Sequence, residues 1–219
     1  MKRRDLIVLL PLVCVAGGRM AAAQPRPLTA RDRTDIGRIE RYLAGLHTLK
    51  GRFLQIAPDG GTSEGTAWLE RPGRLRFEYD PPAPFLLVAA HGVVVFHDRK
   101  LQQTSQFPIG QTPLGMLLGE TVALSGSVTV TGIDRQPGLL EVTIIRTGAP
   151  GDGSLTLVFA DNPMQLRQWA VVDAQRMETR VSLFNVQLGE RFDPKLFEFT
   201  GPGGGPGGGV GGGGGGLGR

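Results

Sequence analysis

The stretch that decides the fold is Gly65-Thr66-Ala67-Trp68-Leu69-Glu70-Arg71-Pro72-Gly73-Arg74-Leu75-Arg76-Phe77-Glu78-Tyr79-Asp80. Leu75, Phe77 and Tyr79 alternate with Arg74, Arg76, Glu78 and Asp80, the period of a half-buried antiparallel strand. Arg71-Pro72-Gly73-Arg74 is a turn signal, so the run before it pairs with the run after it as a hairpin. Working outward, the same pattern predicts about eleven strands, near 49–57, 62–70, 74–80, 85–90, 93–98, 101–106, 127–134, 139–146, 153–160, 166–173 and 178–187. Between them stand Pro58-Asp59-Gly60-Gly61, His91-Gly92, Gln136-Pro137-Gly138, Gly151-Asp152-Gly153 and Asp161-Asn162-Pro163. Such short connections make sequence neighbours into sheet neighbours, and one large, strongly curled antiparallel sheet follows.

Two segments break this pattern. From Thr29 to Leu46, Ile36, Ile39, Leu43 and Leu46 recur at helical spacing, and Thr29 with Asp32 reads as an N-terminal cap. From Thr112 to Gly119, Thr as cap and Pro113 at the first helical position start a short helix that is almost entirely apolar or Gly. With no polar face, it must lie over one face of the sheet. The fold class expected is mainly β (α+β), with an N-terminal helix.

The ends of the chain have a different character. Lys2-Arg3-Arg4, the apolar run Leu6 to Val15 and Ala21-Ala22-Ala23 form a cationic, apolar and A-x-A series, an export signal over 1–23 cleaved before Gln24. Arg3-Arg4-Asp5-Leu6-Ile7 resembles a twin-arginine signal, with the general secretory route as the alternative. Cys14, the one cysteine, is preceded by Pro11-Leu12-Val13, not by the small residue a lipidation site wants, so a soluble protein without thiols is expected. Residues 201–219 hold 14 of the 34 glycines and are expected to be a disordered tail. The folded unit is thus 24–200. The net charge of +4 vanishes within that unit, which has 19 basic and 19 acidic residues, and nucleic-acid binding is set aside.

No catalytic centre is legible. His47, His91 and His97 lack metal-ligand spacing and read as surface or turn histidines; no metal or cofactor is expected. Glu64 and Glu70 stand roughly 20 Å apart on one strand, too far for an acid–base pair, and Glu78 also reads as a solvated strand-face carboxylate. The chain is not expected to be an enzyme.

The stretch Leu49 to Gly119 resembles the periplasmic outer-membrane lipoprotein carrier family of LolA type. The resemblance rests on Gly51-Arg52-Phe53-Leu54-Gln55, the 65–79 hairpin, Pro81-Pro82, Gly92-Val93-Val94-Val95-Phe96 and Pro113-Leu114. It extends to Asn185-Val186-Gln187 and to Phe192-Asp193-Pro194-Lys195-Leu196-Phe197-Glu198-Phe199. It implies an unclosed barrel of eleven strands around a short helical lid, a periplasmic location, and a monomer that shields lipoprotein acyl chains on its concave face. The implied lining is Trp68, Phe77, Tyr79, Phe85, Phe96, Phe159 and Trp169 with Leu114, Met116, Leu117 and Leu118 of the lid. Arg71 would hold the lid through its helix carbonyls, for which five fixed donors are suited. Acylated lipoproteins, an inner-membrane ATP-binding-cassette exporter and an outer-membrane receptor, or the outer membrane itself, are the implied partners. Physical chemistry agrees with such a role: on the order of 45 methylenes at about 0.8 kcal/mol each forbid free diffusion of a triacylated protein through water. The alternative is a lipid- or lipoprotein-binding sensor or interaction domain of the same fold, without transport.

Overall fold

A computed structural model describes residues 27–112, 115–120 and 123–201. The export segment 1–23 with Cys14, the lid residue Leu114 and the tail beyond Gly201 lie outside the described residues.

Helix α1 (Ala30–Gly45) begins where sequence chemistry places it. Thr29 and Asp32 form a reciprocal capping box: the Asp32 amide donates to Thr29 Oγ1 at 3.1 Å and the Thr29 amide to Asp32 Oδ2 at 2.8 Å. Then come β1 (Thr48–Ile56), β2 (Thr62–Glu70), β3 (Arg74–Tyr79), β4 (Phe85–Ala90), β5 (Val93–Asp98) and β6 (Gln103–Pro108). A 3-10 turn at Ile109–Gln111 leads to α2 (Gly115–Leu118). The second half holds β7 (Val128–Gln136), β8 (Leu139–Arg146), β9 (Gly153–Asp161), β10 (Met164–Asp173) and β11 (Glu178–Leu188), and a 3-10 turn at Pro194–Phe197 ends it.

All eleven strands form one antiparallel sheet in the order β6-β5-β4-β3-β2-β1-β11-β10-β9-β8-β7. β6 and β7 are its free edges, so the barrel is unclosed. The curl is measured by Phe77 on β3 and Trp169 on β10: three strands separate them in the sheet, yet their ring centroids are 5.9 Å apart. Gly65 permits this tight interior. A Cβ there would collide with the Glu78 main-chain oxygen and lie 2.6 Å from the Phe53 ring.

Strand bounds move by up to two residues from the sequence reading, and β6 and α2 depart from it for visible reasons. The sixth strand starts two residues later than expected, because Asp98 Oδ1 accepts from the amides of Lys100 (2.8 Å) and Leu101 (3.0 Å) and Gln102 adopts a positive φ of 54°. The turn consumes those residues. The helix expected over Thr112–Gly119 is four residues long; the Thr112 hydroxyl binds Ile109 O at 2.8 Å and accepts from the Gly115 amide at 3.3 Å.

The core lies in the hollow. Ile39 and Leu43 of α1 and Leu117 and Leu118 of α2 are buried in one cluster with Phe53, Leu69, Leu75, Val142, Leu157, Phe159 and Val181 from the concave face. The convex side of β3–β5 is covered by the C-terminal segment, where Phe197 is buried and Arg76 donates to Leu196 O at 3.2 Å. This covering overturns the surface reading of His97, which is buried with its ring 5.3 Å from that of Phe199 and its Nδ1 3.0 Å from the Thr104 hydroxyl.

Candidate functional site

Strand alternation lines up one aromatic series on the concave face. Trp169 meets Phe77 at 5.9 Å, Phe77 meets Phe53 at 4.7 Å, Phe53 meets Tyr79 at 5.0 Å, Tyr79 meets Phe85 at 5.7 Å and Phe85 meets Phe96 at 5.4 Å between centroids. Most of these contacts are edge-to-face, the arrangement the ring quadrupoles prefer. The surface therefore runs unbroken from β10 to β5. Its one phenol in the series, Tyr79, donates to Gln55 Oε1 at 2.7 Å, and burial pushes its pKa up to about 12. Phe159 stands apart from the series and meets Tyr42 of α1 edge-on at 5.7 Å.

Both helices cover this surface, and Arg71 at the end of β2 fastens them. Its Nε and Nη2 donate to Gly119 O at 3.1 and 2.9 Å, and Nη2 also reaches Glu120 O at 3.2 Å. Nη1 donates to Leu43 O and to Leu46 O, the latter at 3.4 Å. The carbonyl ends of α1 and α2 thus converge on one cation, where orphan acceptors and helix dipoles both favour positive charge. Every hydrogen bond of the Arg71 side chain among the described residues goes to a main-chain carbonyl, and burial lowers its pKa from the ordinary guanidinium value. Main-chain bonds complete the clamp: Arg71 N to His47 O at 2.8 Å, and Gly73 N to Leu118 O at 2.9 Å. Gly73 accepts the positive φ of 75° that this turn demands.

The other end of α1 is held ionically. Arg135 of β7 donates from Nη2 to Asp32 and from Nε to Asp35, both at 2.7 Å, and Arg38 bridges Asp35 (3.2 Å) to Asp161 (2.7 Å). Asp32 and Asp35 are both buried. The Thr29 amide and then Arg135 hold the Asp32 carboxyl well below the usual carboxylate range. Farther along, Glu40 Oε1 accepts from the Leu124 amide at 2.8 Å and ties the segment after α2 to the helix.

The structure brings Phe77, Tyr79, Phe85, Phe96 and Trp169 into the aromatic series and places Leu117 and Leu118 against it, with Met116 half-buried beside them. Trp68 is the correction. It pairs with Lys50 and Arg76 on the convex side of β2, whereas Ala67 and Leu69 face the hollow, so strand period two removes it from the lining. Phe53 and Tyr42 were missed. Phe53 could have been found from its alternation with Leu49 and Gly51, and Tyr42 from its place beside Leu43 on the helix, where its hydroxyl accepts from the Leu166 amide at 3.0 Å. Glu64, Glu70 and Glu78 lie on the convex side and pair with Arg52 (3.5 Å), Arg74 (2.7 Å), and Arg76 and Arg99 (2.9 and 3.0 Å).

Comparison with known proteins places the chain in a family. The family model described as "Outer membrane lipoprotein carrier protein LolA" matches residues 44–200. An outer-membrane lipoprotein carrier protein of Methylococcus capsulatus is 27% identical over 207 residues, covering 90% of this chain and 94% of the relative. One from Azotobacter vinelandii is 27% identical over 187 residues, covering 79% and 87%. Among solved structures, a LolA superfamily protein from Nitrosomonas europaea superposes with a TM-score of 0.40 at 8% identity, covering 74% of this chain and 96% of its own. With its family-wide match over the half-barrel, the protein belongs to the outer-membrane lipoprotein carrier (LolA) family.

Proposed function

We propose that the chain is a periplasmic carrier that takes the acyl chains of lipoproteins onto its concave aromatic face and moves them from the inner to the outer membrane. The observation that carries this reading is the continuous series from Trp169 to Phe96, buried from Trp169 to Tyr79 and half-buried at Phe85 and Phe96, in a hollow that also takes two helices fastened by one arginine through carbonyl oxygens. Displacing the cover exposes an apolar surface of the kind a hydrocarbon chain needs, and restoring it expels the chain. Cargo and cover compete for the same surface. The names of the relatives, outer-membrane lipoprotein carrier proteins, support this assignment.

In this reading the signal over 1–23 exports the protein, an inner-membrane ATP-binding-cassette exporter loads it, and an outer-membrane receptor or the membrane itself unloads it. Phe53 joins the proposed lining, and Trp68 leaves it. Mass spectrometry of the protein isolated from the periplasm tests the proposal. Co-purifying acylated lipoprotein is the expected result; free phospholipid alone, with no lipoprotein transferred to acceptor membranes, would refute it.

A further inference from the structure

The outward face of α1 is the feature that neither the fold nor the covered aromatic surface accounts for. Arg31, Arg33 and Arg41 are exposed on its outward half, Arg41 near the middle and Arg31 and Arg33 toward opposite edges, while Asp32 and Asp35 turn inward to Arg135 and Glu40 is engaged with the Leu124 amide. Arg38 is satisfied by Asp35 and Asp161. Arg41 Nε donates to Gly37 O at 3.1 Å, and none of the three arginines has a carboxylate partner among the described residues. Beside them stand Ala30, Thr34, Gly37 and Ala44, none large enough to screen them. Exposed Arg167 on β10 adds to the same field, since its neighbour Leu166 donates its amide to the Tyr42 hydroxyl at 3.0 Å. Of the carboxylates nearby, exposed Asp134 and Glu120 lie toward the two ends of the helix, and the half-exposed Asp161 beside its middle is engaged by Arg38.

Helix stability does not explain this charge. Arg31 and Arg33 occupy the first turn, the positive end of the helix dipole, where cations are disfavoured. Because Ile39 and Leu43 face the hollow, the basic face points away from the sheet, on the side of the cover. We infer that this face docks the mouth of the carrier onto an anionic phospholipid surface. A bilayer requires only diffuse positive charge over an area, and three arginines spread along roughly 15 Å of helix supply it. A protein partner would need a buried anchor, and this face offers no large apolar side chain. The inference deepens the carrier reading and rests on it for its purpose, but docking is measurable without cargo.

The test uses the full chain in soluble form with vesicles of phosphatidylcholine, alone or with about 30% phosphatidylglycerol. Binding to the anionic vesicles only is expected, lost between about 0.03 M and about 0.3 M salt. The triple variant Arg31→Gln/Arg33→Gln/Arg41→Gln should bind about a hundredfold more weakly, roughly fivefold for each cation. Its melting temperature and cargo loading should match the parent, and Lys at all three positions should restore docking. Binding that ignores lipid charge, a triple variant as tight as the parent, or a Lys variant that does not bind each overturns the inference. Capture by a polyglutamate surface without vesicle binding assigns the face to an acidic protein and overturns it equally. A variant that loads cargo yet does not dock separates this failure from failure of the carrier reading.

Discussion

The guanidinium of Arg71 grips the carbonyl oxygen of Gly119 with two donors, Nε at 3.1 Å and Nη2 at 2.9 Å. The same side chain holds the last carbonyls of α1, so a single residue on the β2–β3 turn joins both covering helices to the sheet. Its partners are neutral carbonyls, whose bonds can be exchanged for water without leaving a counter-charge stranded. Hydrogen bonds of this chemistry can be released at modest cost.

Arg71→Leu is therefore expected to fold but to fail in transfer. Each lost hydrogen bond weakens the closed state by about 0.5 to 1.5 kcal/mol, so the cover competes less well with bound acyl chains. Cargo should load and leave slowly. Transfer of a lipoprotein from parent and variant to acceptor membranes measures this, and equal rates in equally stable proteins would reduce Arg71 to a structural residue.

Phe53→Ala should cost about 3 to 5 kcal/mol in chemical denaturation, because Phe53 is fully buried and links the two halves of the aromatic series. Trp68→Ala, on the convex side, should cost about 1 kcal/mol or less and leave cargo loading as it was. Reversed sensitivities would place the lining on the wrong face.

Both tyrosines of the chain should ionise late. Burial raises the pKa of Tyr42 and pushes that of Tyr79 up to about 12. A folded pKa above the unfolded value means that the stabilisation is complete below about pH 10 and is lost as pH rises toward the folded value. Phenolate absorbance in native protein should lag that of denatured protein, and Tyr79→Phe should remove the later step. A full-amplitude transition near pH 10 in native protein would contradict this.

Acid should loosen the start of α1. The Asp32 carboxyl is held low by the Thr29 amide and Arg135, so its stabilisation is present above the ordinary carboxylate pKa and lost as pH falls below it. Melting temperature should drop from about pH 5 toward about pH 3, more steeply in the parent than in Asp32→Asn. At neutral pH Arg135→Ala, which leaves buried Asp32 with Thr29 alone and buried Asp35 with Arg38 alone, should lower it by about 5 °C or more. An Asp32→Asn curve parallel to that of the parent would count against the ionic tie.

The strands and the capping box were legible because period-two alternation and the Thr29/Asp32 pair are local signals. Which face a side chain takes is a property of the whole sheet. Trp68 looked like lining because it is aromatic, although its neighbours Ala67 and Leu69 already assigned the hollow to the other parity. The Leu166/Gln168 bulge in β10 shifts the register, so counting from the turn at 161–163 gives no secure face for Trp169. Nothing local foretells that the residues around Phe197 would wrap the convex side and bury His97, since that contact spans some hundred residues of chain.

The pairing of β1 with β11 bears on how the protein is made. Every other strand pair joins sequence neighbours, so β1–β6 and β7–β11 are two meanders that can assemble from local contacts as they emerge. Their union waits for the last strand, which must find the first across most of the chain. Until that late step the two hollows remain separate and their aromatic faces bare. The interval between meander formation and β1–β11 closure is thus when a newly made molecule is most prone to aggregate, and truncation within Glu178–Leu188 should release two sticky half-sheets instead of a weakened carrier.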